Sequence, residues 1–418
     1  MVRTLTGSQY LDADGKPKAS VRADAADKNK KVPAESIRSA APDREPVVTS
    51  EAQARSLALD AGAEYGTPSK DVATGKVSTL QEDDITLEEC RSNTDKSGRA
   101  EGWIKNHFSY CQIGVLVAEQ FRCWSIFCVP VGAFSARVTH MGYAYQGLRD
   151  VDWKVYFDEI DAWGVSEAGL LTVEAECAGS TSDACVSGGF DRVVKTVPQW
   201  QANGEATLLF TSYADPPDAS RGEQVKTGTF QFEYDFRTTA GNKEADGPST
   251  SVRFDSAWYL PQKQGSIFDR VTPWLSYSTK DSEVNESAWH IRDAQDHPES
   301  TYPRTDGKHI PGASASDPLR RLYHDTQRRT WNRERFAVPV CQAQWPGYPE
   351  LSQDCDEYPF SATYEGAARH LYQDVPYGQF SVRPVLFSDN QEAGNRLGTW
   401  YGRDRILDGD AFYVKIVD

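Results

Sequence analysis

Between residues 86 and 285 apolar and polar positions alternate in short runs. The stretches FSARVTHMGYAY, VDWKVYFDEI, GLLTVEAECA, EATLLFTSYA, VKTGTFQFEYDF and TSVRFDSAWYL are rich in β-branched and aromatic residues. A period of two places successive side chains on opposite faces of a strand. Gly, Pro, Asp and Asn lie between the runs. Their regular spacing predicts an antiparallel β-sandwich over residues 86–285. Within it CWSIFC reads as a pinned turn or a bulged hairpin.

The pattern differs on either side. Residues 1–48, with stretches such as ADAADKNKKVPAES, bury little apolar surface and predict a flexible leader. DADG, from Asp12, has too few acids for a calcium loop and reads as a turn. Residues 49–85 predict a short helix and a linker; TSEAQARSLALDAGAEYG carries a capping Thr49 or Ser50 and a terminating Gly62 or Gly66. From 286 to 418 the chain predicts a separate α+β part. DPLRRLYHDTQRRTWNRERF is helical in character, with Asp317 and Pro318 at its start. GQFSVRPVLFS and AFYVKIVD follow as strands, separated by the polar segment DNQEAGNRLGTWYGR. The fold class is therefore mostly β with an α+β C-terminal part.

Composition narrows the classes of function. The formal charge of −16 argues against a generally basic nucleic-acid coat, while leaving room for a local basic groove. No apolar run is long enough to span a membrane. The opening residues lack the apolar core of a signal peptide. The eight cysteines, Cys90, Cys111, Cys123, Cys128, Cys177, Cys185, Cys341 and Cys355, fall into four neighbouring pairs. An even count in this arrangement predicts disulfides and export to an oxidising compartment. The sequence leaves their connectivity open; sequential pairing is the simplest. With seven His, none at finger spacing from a Cys pair, a zinc site is the weaker reading.

Candidate chemistry gathers near the C-terminus. CDEYPFSATYEGA, residues 355–367, holds Asp356, Glu357 and Glu365 beside a cysteine, and SDN follows at 388–390. A carboxylate can act as general base toward water. Carboxylate and amide oxygens can hold a hard divalent cation, which stabilises charge developing on a phosphodiester. Arg320, Arg321, Arg328, Arg329, Arg333 and Arg335 share a presumed helical region whose spacings put several on one face, with Trp331 available for stacking. Arg396, Arg403 and Arg405 are further candidates for backbone contact. His324 and His370 read as surface or core residues. A bridge from Cys341 to Cys355 would fix the neighbouring Asp356.

These blocks resemble the secreted bacterial deoxyribonucleases of the NucA/NucB type. The resemblance rests on Asp356, Glu357, Tyr358 and Pro359, then Glu365 and Gly366, then Ser388, Asp389 and Asn390, then Ala393 and Gly394, and on the closing FYVKIV. It covers about the last 75 to 130 residues. The chain departs from the family pattern at Ala367, Gln391 and Glu392. The resemblance implies a small ββα-metal type nuclease domain over 286–418, acting on DNA with Mg2+ or Mn2+. Asp356 becomes the base, Asn390 a metal ligand, Glu365 a metal or water contact, and Glu357 an orienting acid. Arg320, Arg328, Arg329 and Arg396 are the expected nucleic-acid contacts. The function expected is a secreted metal-dependent endonuclease with an accessory β-sandwich of unassigned ligand. The alternatives are a non-enzymatic surface- or glycan-binding protein with a degenerate nuclease-like end, and a carboxylate-pair glycosidase built on Asp356 and Glu365.

Overall fold

The structure, a computed structural model, describes residues 2–21, 27–28, 30–35, 65–73, 84–124 and 126–418. The chain divides into two compact units, Met1–Ala61 with Leu80–Arg270, and Gly62–Thr79 with Val271–Asp418. The boundary thus falls about fifteen residues before the expected 285, and the second unit also takes in residues from the expected linker.

The first unit is built almost wholly of antiparallel strands: β1 (Val2–Thr6), β2 (Ser109–Trp124), β3 (Phe127–Ala144), β4 (Asp150–Gly164), β5 (Leu170–Gly179), β6 (Arg192–Thr196), β7 (Glu205–Thr211), β8 (Gln224–Thr238), β9 (Gly241–Ser256) and β10 (Gln264–Ile267). One sheet has the order β1-β2-β3-β4-β7, with Val32–Pro33 on β3 and Trp103–Asn106 on β2. The other has the order β10-β9-β8-β5-β6. Alternation sets the facing. Phe230, Phe232, Tyr234 and Phe236 of β8 are all fully buried, and the residues between them are not. Their rings meet the other sheet: Phe236 stacks on Phe134, and Phe230 and Phe232 pack on Trp153.

Two expectations change here. Val2–Thr6, placed in a leader by composition, is a strand paired with Gly114–Ala118. Asp12 does sit in a turn, its Oδ1 accepting from the backbone of Asp14 and Lys16. The expected helix over 49–66 lies outside the described residues except at its end, where Gly66–Pro68 is a strand. Of CWSIFC, Cys123 and Trp124 pair with Cys128 and Phe127 at the end of the β2–β3 ladder, and a disulfide joins the two cysteines. The remaining bridges are Cys90–Cys111, Cys177–Cys185 and Cys341–Cys355, so the pairing is sequential throughout.

The second unit holds β11 (Trp274–Ser278), α1 (Asn285–Asp296), α2 (Thr326–Thr330), β12 (Gln353–Tyr358), β13 (Ser381–Leu386), α3 (Phe387–Arg403) and β14 (Ala411–Val417). Gly66–Pro68 and β14 flank β11 in parallel, and Leu319–Arg320 pairs antiparallel with β14. β12 and β13 form a separate antiparallel pair, and α3 follows β13 directly. The arginine-rich segment begins as strand rather than helix. Asp325, not Asp317, caps the helix, its side chain accepting from the Arg328 backbone N–H. α2 then runs through a π-helical stretch, Trp331–Ala337, into Val338–Gln344.

Two cores lie on either side of β12. Tyr358 joins the larger one with Leu275, Tyr277, Ile291, Trp400 and Phe412. Cys355 joins the smaller with Cys341, Phe380 and Val382. The strand carrying the candidate acids is therefore fixed from both faces.

Candidate active site

β12 presents its acids in a row. Asp354, Asp356 and Glu357 line a cavity of about 430 Å³, together with Asn390 of α3, Ser287 of α1, and Arg321, Tyr323, Arg329 and Arg333. Asp356 and Asn390, which stand in separate sequence blocks, are thus brought to one place. The Asn390 Nδ2 donates to Asp354 Oδ2 at 3.0 Å, which ties the first turn of α3 to β12. Arg333 grips Asp354 with both oxygens engaged, at 2.8 and 2.7 Å, and reaches Glu357 Oε2 at 3.2 Å.

The acids differ in environment. Burial pushes the Glu357 carboxyl up from its ordinary 4.5 to about 7; Arg333 opposes the rise and the charge on Asp356 adds to it. Asp356 is held differently. Its Oδ2 stands 2.8 Å from Nδ1 of the fully buried His290, whose Nε2 lies 2.7 Å from Ser381 Oγ. Asp389 points to α1. It accepts from the Glu286 and Ser287 backbone and from Ser287 Oγ at 2.6 Å, satisfying donors at the start of that helix. Burial still raises its pKa, against the pull of those bonds.

Other expected residues lie elsewhere. Glu365 is buried outside the cavity, its Oε2 accepting from the Arg320 N–H at 2.7 Å and its Oε1 pairing with the Arg320 guanidinium at 3.2 Å. Its task is to hold the Leu319–Arg320 strand. The loop around it is clamped by Asn332, which donates to Ser361 O and Thr363 O and accepts from Ala368 N–H. Gly366 is needed there, because a Cβ would stand 2.4 Å from Asn332 Nδ2. Arg320 is consumed by Glu365. Arg328 is buried, bonded to Tyr364 O and lying over the Tyr372 ring at 4.1 Å. Arg396 is buried among Asp281, Glu283 and Glu392. Of the four arginines expected to contact nucleic acid, Arg329 alone lines the cavity.

Sequence reading missed His290 and Ser287. The signal was present: Ser287, His290, Ile291 and Ala294 fall at helical spacing on the buried stripe of α1. Arg333 was seen only as one charge in a basic run; its partner Asp354 was passed over.

Residues 315–415 match the family model described as Deoxyribonuclease NucA/NucB. The segment contains β12, β13, α3 and most of β14, and so Asp354, Asp356, Glu357, Glu365, Asp389 and Asn390. No curated protein matches the chain. The NucA/NucB match stops short of α1, which supplies His290 and Ser287.

The side chains with electron pairs at the cavity wall are carboxylates, amides and hydroxyls, which suit a hard divalent ion rather than zinc. Among the described residues no group of three or more His, Cys, Asp or Glu side chains could hold a metal. An ion here would take few ligands from the protein and keep several waters, as Mg2+ commonly does.

Proposed function

We propose that the second unit hydrolyses DNA phosphodiester bonds, and that the chain is a divalent-metal-dependent endonuclease acting outside the cell. The observation that carries this reading is the meeting of Asp356 and Asn390 in one cavity beside Arg329 and Arg333, within a segment that matches the NucA/NucB family. The two-stranded pair β12–β13 followed by α3 supports a ββα-metal arrangement. The first unit is proposed as a β-sandwich accompanying the enzyme. Four disulfides favour an oxidising compartment. Among the described residues no helix is long and apolar enough to cross a membrane.

In this mechanism Asp356 is the general base. One of its oxygens is taken by His290, and the carboxylate accepts a proton from the water that attacks phosphorus. Asn390 would hold Mg2+ or Mn2+ through its amide oxygen, and the ion would supply positive charge where the phosphate and the departing oxygen gain negative charge. Arg329 attracts the polymer backbone. Arg333 offsets the charge of Asp354 and part of that on Glu357. The raised Glu357 carboxyl limits the negative charge a phosphate meets on entry.

The test is plasmid nicking with Mg2+ or Mn2+, with and without chelator, by the wild type and Asp356→Asn. Chelation and the substitution are each expected to abolish cleavage. A folded Asp356→Asn variant as active as the wild type would overturn the assignment of the base; a wild type that leaves the plasmid intact with both ions would overturn the nuclease reading.

A further inference from the structure

We propose that His290 is a positioning residue that presents the Asp356 carboxylate to the attacking water; this rests on the reading of Asp356 as base. An ionised carboxylate only accepts hydrogen bonds, so the proton of the 2.8 Å contact lies on Nδ1. Nε2 then meets the Ser381 hydroxyl, which can donate to a neutral ring or accept from a charged one. Either way the ring is held at both nitrogens, in full burial, with Asp356 itself only 6% exposed. One Asp356 oxygen is engaged, and the carboxylate plane is set.

The helix carrying His290 is itself anchored. Asp389 holds its first turn through Glu286 and Ser287, and Asp389 adjoins Asn390. At the other side Gln295 donates to the Tyr358 hydroxyl, two residues beyond Asp356. α1 therefore acts as a strut between β12 and the start of α3. It sets where the presumed base stands relative to Asn390. A displacement of about 1 Å at such a group costs on the order of 100-fold in rate.

A buried His could serve packing alone, so the test needs a readout that packing does not move. His290→Asn keeps an amide N–H near the Nδ1 position and loses the reach to Ser381. His290→Gln does the reverse. The groups that share this environment are Asp354 and Glu357 on β12, Arg333, Asp389 on α3, Tyr277 on β11 and Arg383, opposite Asp356 on β13 and paired with Asp293 of α1. None is altered by either substitution, so a change between the two variants reports the lost bond.

The full chain is assayed for plasmid nicking across pH, with folding checked by circular dichroism. His290→Gln is expected to lower kcat by about 100-fold with KM changed less than about threefold. His290→Asn is expected to stay within about tenfold of wild type. Equal losses of kcat in the Asn and Gln variants overturn the proposal. Should the Gln variant not fold, His290→Phe decides, since it keeps a buried ring and loses the bond to Asp356. A loss of about 100-fold in kcat with KM changed less than about threefold supports the proposal, and a folded His290→Phe within about fivefold of wild type overturns it. If instead Asp356→Asn is itself active, the reading of the base has failed, whatever the His290 variants do.

Discussion

Glu357 offers the most direct quantitative test of the site's electrostatics. Its carboxyl is raised from 4.5 to about 7, chiefly by burial, with Asp356 beside it and Arg333 pulling the other way. A raised folded-state value means that the native protein binds more protons than the unfolded chain between these two pH values. Stability from this group is then fully present below about pH 4.5 and is lost as pH rises through about 7. At about 1.4 kcal/mol for each pH unit, the full loss is about 3.5 kcal/mol. Glu357→Gln substitutes a permanently neutral side chain of nearly the same shape. At pH 5, where the native carboxyl is mostly protonated, wild type and variant should differ by less than about 1 kcal/mol. At pH 8 the variant should be more stable by about 3 kcal/mol. Urea unfolding of both proteins at a series of pH values gives the difference directly, and titrating groups that do not interact with Glu357 cancel in it. A gap that stays constant from pH 5 to pH 8, or that favours the wild type as pH rises, would refute the reasoning.

Three further outcomes follow from the packing. Replacing Cys341 and Cys355 by Ser opens a loop with a sequence separation of 14 and should cost about 3 kcal/mol, read as a lower urea midpoint and as nicking that becomes sensitive to temperature. Arg396→Met leaves the buried Asp281 without its partner, so unfolding should become easier by about 3–5 kcal/mol while the salt dependence of DNA binding is unchanged. Arg329→Ala should do the opposite, leaving stability within about 0.5 kcal/mol and reducing the slope of log affinity against log salt by about 0.9.

Where one face of a strand is buried and the other wet, the sequence was legible. β8 shows this plainly: Phe230, Phe232, Tyr234 and Phe236 alternate with Gln231, Glu233 and Asp235. β2 was overlooked for the converse reason. It lies between β1 and β3 with Ile113 to Ala118 wholly buried, so it has no alternation to read. Leu319–Arg320 looked helical because Leu and Arg favour helices; pairing with β14 and the Glu365 carboxylate overrode that preference. Of the acids, the NucA/NucB resemblance singled out Asp356 and Glu357, which line one cavity with Asn390; it also took in Glu365, which lies outside that cavity, and passed over Asp354. The arginines were not. Charge and spacing cannot reveal that Arg396 will meet Asp281, 115 positions away, or that Arg328 will lie over Tyr372. His290 was silent for the same reason, since its partner Asp356 is 66 positions distant.

The two cores explain why Asp356 can be held so firmly on a strand of six residues. A two-stranded pair is marginal by itself, and β12–β13 gains its rigidity from what covers it. Cys355 anchors one face through Cys341, while Tyr358 anchors the other against α1 and β11. Asp356 lies between these anchors, and the residue that meets its carboxylate comes from α1. That helix, the β11 strand and the Gly66–Pro68 strand all precede residue 315, where the family match begins. They supply Leu275, Tyr277, Ala288 and Ile291 to the core that α3 packs upon. The chemistry proposed for the matched segment therefore depends on side chains outside it, and the second unit contains both.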